Sequence, residues 1–209
     1  MFFNKLVGSL ARAQLNLLME VLMNIFVLDE DPVESVKQHC DEHVKKMPIE
    51  AAQMLCTNIR LLEGVEEMRP SKSGKTMQKY WKHPKDELEN VLYKVVHRNH
   101  PCTAWARESL ANYEWLVQYF IAICDEYIFR YGKPILTDTI LRDILSTYRP
   151  AGLPNKPFAG FVICMKEFPD CIVPNDPIQS YRNFYMFDKI RFASYNLGRP
   201  SPDFFEGII

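Results

Sequence analysis

A chain of 209 residues that is 47% hydrophobic and 24% charged has the make-up of a folded protein and the length for one sizeable core, which excludes a disordered or low-complexity class. A formal net charge of −1 gives no global attraction to nucleic acid or an anionic membrane, so such an affinity must come from a local patch. The six cysteines include no CxxC pair, and with no secretory signal they read as small hydrophobes in a reducing cytoplasm.

Residues 1–22 are amphipathic, but Arg12, Gln14, Asn16 and Glu20 interrupt them too often for a membrane span. Met19-Glu20-Val21 can be encoded with a ribosome-binding sequence just upstream of the codon for Met23. The expected organisation is therefore a translated leader or amphipathic extension over 1–22 and a single globular domain over 23–209.

From Met23 the continuous apolar run Ile25 to Leu28 predicts a short N-terminal strand covered on both faces. Asp31-Pro32-Val33-Glu34 is a strong helix start, with Asp as N-cap, Pro in the first turn and Glu completing a capping box. The helix it opens reaches about Met47, where Pro48 should kink or restart it, and a second stretch continues to Gly64. Between Arg69 and Lys85 lie six Lys or Arg residues and no acid, which predicts an exposed basic mobile loop at about 69–85. Gly74-Lys75-Thr76 is no phosphate loop, because the required earlier glycine is Arg69.

The longest helical reading runs from about Cys102 to Tyr131, apolar on most sides and closed by Gly132. A further helix follows from Thr137 or Asp138 to Tyr148, then a proline-rich irregular segment over 149–175. Asp176-Pro177-Ile178-Gln179 repeats the Asp-Pro cap and opens a helix to about Asn196. The fold class is mainly α: a single-domain helical bundle around a long central helix, with a short N-terminal β-strand.

Three polar clusters could carry chemistry. His39, His43, Lys46 and Glu50 share one helical stripe, where His43 with Asp29 or Glu50 could move a proton. Two histidines at i, i+4 can also share a metal, but Cys40 stands where HExxH needs its Glu, so no metal ligands and no cofactor are assigned. His100, Trp105 and Arg107 surround a helix start suited to an anion. Tyr181, Arg182, Tyr185 and Lys189 alternate stacking surfaces with donors, as a nucleobase and its phosphate require, though a plain packing stripe is the commoner meaning of such a helix.

The order IFVLDEDP, HCDEHVKKM, AAQML, HPCTAWARES, NYEWL and DPIQSYRNFY resembles a family of small, mostly uncharacterised tailed-phage proteins, over Met23 to about Phe205. Glu42 and Lys45 depart from that pattern, which more often has Lys and Val there. The resemblance implies a viral protein in the cytoplasm of an infected bacterium, where nucleic-acid metabolism and counter-defence are common tasks. The expected function is an enzyme acting on a nucleobase, nucleotide or DNA by modification, hydrolysis or repair chemistry. Lys46, Arg107 and Arg182 would hold phosphate, and Trp105 or Tyr185 would stack a base. A counter-defence protein that sequesters a nucleotide signal, or a module that engages DNA or a host protein through the basic loop, are the competing readings. The expected partner is a nucleotide or nucleic acid, with no membrane; the sequence leaves the oligomeric state open.

Overall fold

The computed structural model describes residues 24–207. The expected leader over 1–22 and the start at Met23 lie outside the described residues. Helices dominate: α1 (Pro32–Lys37), α2 (Asp41–Glu63), α3 (Asp86–Glu89), α4 (Pro101–Ala106), α5 (Leu110–Tyr131), α6 (Leu136–Thr147) and α7 (Pro177–Phe187). The strands β1 (Val65–Pro70) and β2 (Met77–Lys82) pair antiparallel, Val65 opposite Lys82 and Pro70 opposite Met77. No helix among the described residues is long and apolar enough to cross a membrane.

The two long helices, α2 and α5, pack on each other; α2 also meets α4 and α6, and α1 lies on α5. Met47, Ala51, Met54, Leu55 and Ile59 of α2 face Leu116, Phe120 and Ile123 of α5 in one apolar core. Pro48 is buried within an α2 that continues as one helix from Asp41 to Glu63, so the expected restart is not seen. Gly64 caps the helix in an extended conformation with its N–H on the Arg60 carbonyl, a position where a Cβ would stand 2.5 Å from that same oxygen.

Three expectations are corrected. The run Asn24 to Leu28 is buried and forms no strand. Phe26 takes a left-handed φ of 49°, which breaks any ladder, and side chains take over the backbone bonds: Leu28 N donates to Ser35 Oγ at 3.0 Å. The long helix expected from Cys102 to Tyr131 is two helices, because the Ser109 hydroxyl accepts from Asn112 N and starts α5 anew. The basic stretch at 69–85 is largely hairpin rather than loop, with Lys79 paired to Glu66 and Arg69 to Glu67 across and along its strands.

Both Asp-Pro starts are helix caps, Asp31 accepting from Val33 N and Glu34 N and Asp176 from Gln179 N. Arg60, inside α2, fastens the hairpin to the core. Its guanidinium donates to Glu89 Oε2 at 2.5 Å and to the carbonyls of Tyr93, Trp81, Glu89 and Leu92.

Candidate active site

On the second and third turns of α2, Lys46 and Glu50 stand one turn apart. Lys46 Nζ donates to Glu50 Oε1 at 2.8 Å. The other carboxylate oxygen, Oε2, accepts from the backbone N–H of Asn24 at 3.3 Å. Glu50 is buried, whereas Lys46 is half-exposed and Ile49 exposed, so this edge of α2 reaches the surface. Burial raises the Glu50 pKa above the ordinary carboxylate range, against the opposing pull of Lys46, the Asn24 N–H and nearby His97.

Asn24 is itself held from three sides. Its Oδ1 accepts from the Tyr181 hydroxyl at 2.8 Å and its own turn at Ile25 N at 2.8 Å, while Nδ2 donates to the Cys164 carbonyl at 3.3 Å. The left-handed turn at Phe26 follows at once, and His39 Nε2 donates to the Phe26 carbonyl at 3.1 Å. The Phe26 ring stacks on His43 with centroids 4.4 Å apart. A strained residue beside a buried carboxylate is a recurrent feature of functional sites.

The first and third clusters thus meet around Phe26. His43 Nδ1 bonds the Tyr185 hydroxyl, and the ammonium of Lys189 lies 4.4 Å from the centre of the Phe184 ring. Among the described residues His43 has no carboxylate partner, which corrects the expected pairing with Asp29 or Glu50. Burial drives its pKa well below the ordinary value, and the nearby His39, Lys189 and Lys46 push it the same way. His39 is likewise held neutral by burial, down to about 3, outweighing its bond to Phe26. Asp29 stands at the surface 3.6 Å from Arg182, whose Nε donates to the Leu28 carbonyl.

The stacking roles expected of Trp105 and Tyr185 are also corrected. Trp105 is buried among Trp115, Phe158 and Phe161, with Nε1 donating to the Gly160 carbonyl at 2.5 Å. Tyr185 and Tyr181 are wholly buried, so neither ring offers a face to a base. Arg107 caps inward, donating to the Arg98 carbonyl at 2.8 Å. Of the second cluster only the start of α4 reaches the site: Cys102 Sγ lies 3.8 Å from Asn24 Oδ1, and His100 caps the helix by accepting from Cys102 N.

Sequence reading missed Asn24, Cys102 and Cys164. Asn24 carried no signal beyond its place before an apolar run, and its partners lie 26, 140 and 157 residues away.

A family model described as pyrimidine dimer DNA glycosylase matches residues 23–135, a span that contains Asn24, Lys46 and Glu50. No curated protein and no solved structure matches the chain.

Proposed function

The chain belongs to the pyrimidine dimer DNA glycosylase family, with a DNA-acting, repair-type function, and from that premise we propose that it cleaves the N-glycosidic bond of a damaged pyrimidine in duplex DNA, with Glu50 at the reacting carbon. The observation that carries this reading is the buried Glu50 carboxylate between two nitrogens, Lys46 Nζ at 2.8 Å and Asn24 N at 3.3 Å.

Loss of a base from deoxyribose builds positive charge on C1′ and the ring oxygen. A desolvated carboxylate aimed at that carbon stabilises the charge where it develops. An amine beside it can attack C1′: the new C–N bond forms as the C1′–base bond breaks, the base leaves with the electron pair and takes up a proton, and sugar-ring opening yields an imine. Lys46 supplies the nearest side-chain amine. A second nitrogen is favoured by its contact with Oε2: in a chain begun at Met23 and trimmed of that residue, Asn24 N is a primary amine rather than an amide. The reacting nucleotide must leave the stack to meet a group this buried, and a lesion that pairs poorly lowers that cost.

The exposed hairpin suits phosphate contact, since Lys72 and Lys75 at its turn are exposed and pair with no carboxylate among the described residues. The likeness to tailed-phage proteins argues for a viral setting, in which such an activity preserves phage genomes after irradiation.

Base release from ultraviolet-irradiated duplex DNA tests the proposal. Glu50→Gln should lose roughly a hundredfold or more in turnover while keeping its affinity for the duplex. Borohydride should trap a covalent protein–DNA adduct, and peptide mapping assigns it to Lys46 or residue 24. Undiminished excision by Glu50→Gln would overturn the reading.

A further inference from the structure

Three metal-ligating side chains converge beside Asn24 from two distant parts of the chain. His100 and Cys102 lie at the start of α4, and Cys164 lies on the irregular segment before α7. Their ligand atoms all fall within 4.8 Å of one another. The two sulfurs are 3.2 Å apart; both thiols are buried and His100 is half-buried, which leaves a way in from the surface.

We propose that His100, Cys102 and Cys164 together bind one thiophilic divalent cation, with zinc as the best match. Two sulfurs and an imidazole form a donor set that zinc takes in tetrahedral geometry, with one position left for a further ligand. With Zn–S bonds of ~2.3 Å, two such sulfurs lie about 3.7 Å apart, so the pair needs to open only slightly. His100 Nδ1 carries the ring's lone pair, since it accepts from Cys102 N at a long 3.2 Å. Ligation exchanges that weak bond for a metal bond. Burial and the proximity of His97 keep the imidazole neutral, the form that ligates.

Binding is balanced by proton release: two thiols lose their protons to solvent and the cation takes both thiolates and the ring nitrogen. The backbone carbonyl of Cys164 accepts from Asn24 Nδ2, and Cys102 Sγ touches Asn24 Oδ1. The ion would therefore stiffen the shell that presents Asn24 to Glu50. A disulfide would use the same two sulfurs and leave His100 in its capping role alone.

The full chain, purified under reductant and stripped with chelator, is titrated with cobalt(II) and then zinc(II). One cobalt per chain should bind with a thiolate charge-transfer band in the near ultraviolet and the visible bands of a tetrahedral site, and zinc should displace it. Cys164→Ala and His100→Ala should each weaken binding by roughly tenfold or more, with far-ultraviolet circular dichroism unchanged. Cys171→Ala is the control that leaves it intact. Absence of the charge-transfer band in reduced protein overturns the site, as does a Cys102–Cys164 disulfide formed under the same conditions. Either failure leaves the excision reading standing, because that reading rests on Glu50 and is read by base release.

Discussion

The ammonium of Lys46 lies 2.8 Å from Glu50 Oε1, one turn earlier on the same helix, and opposes the upward push that burial exerts on the carboxylate. In the proposed mechanism Glu50 acts as the ionised carboxylate, so activity should climb with pH through a carboxylate limb set above the ordinary range. Lys46→Met removes the charge that favours ionisation and moves this limb to higher pH, so the relative loss is greater at about pH 5 than at about pH 8. Base-release rates across that range read the shift. A uniform loss at every pH would instead mark Lys46 as the attacking amine alone.

The hairpin makes a separate, purely electrostatic prediction. Lys79 and Arg69 are already paired with Glu66 and Glu67, whereas Lys72 and Lys75 at the turn are exposed cations with no carboxylate partner among the described residues. Replacing both by Ala should reduce the slope of log K against log salt by about 2, and lower duplex affinity several-fold at low salt. Turnover at saturating DNA should stay within about twofold, since the turn is remote in role from Glu50. Binding isotherms at several salt concentrations check this.

Arg60 illustrates how the same fold carries charge for structure alone. Its side chain is wholly buried, and its donors satisfy the Glu89 carboxylate, the Trp81 carbonyl of β2 and three carbonyls, of Glu89, Leu92 and Tyr93, from the segment that follows the hairpin. Burial raises the Glu89 pKa, but hydrogen bonds from Tyr80 and Arg60 outweigh it and hold the carboxyl down to about 2. Arg60→Met strands these acceptors and should cost about 3–5 kcal/mol in urea unfolding. The double variant Arg60→Met with Glu89→Met should recover part of that loss, because it removes the uncompensated charge as well.

What could be read in the sequence was what is decided locally. Asp31 and Asp176 announce helix starts because a cap needs only the three residues after it. Lys46 and Glu50 fall together because i, i+4 spacing alone brings them together. The Asn24–Leu28 segment misled because an apolar run says buried without saying how its backbone is satisfied. Its answer, the turn at Phe26 bonded by His39, depends on a side chain thirteen residues away. Cys102 and Cys164 were legible as buried thiols, but their meeting is made by the path of 149–175, which has no periodicity to read. Trp105 and Tyr185 looked like platforms for a base because aromatic rings on a helix carry no mark of which neighbour covers them.

His39 and His43 give the fold an acid limit. Both are fully buried and held neutral, His39 down to about 3 and His43 in the same direction, whereas an unfolded histidine titrates near 6.5. A depressed folded pKa means that the unfolded chain binds more protons between these values, so stability is complete above about pH 6.5 and falls as pH drops toward the folded pKa. For His39 alone the loss at pH 5 is about 2 kcal/mol, which for a chain of this length lowers the melting temperature by roughly 4–8 °C relative to pH 7. His39→Gln keeps a donor for the Phe26 carbonyl but cannot be protonated. Its melting temperature at pH 7 should be somewhat lower than that of the parent, and its decline between pH 7 and pH 5 shallower. Parallel slopes for the two proteins would show that His39 is not the group that sets the limit.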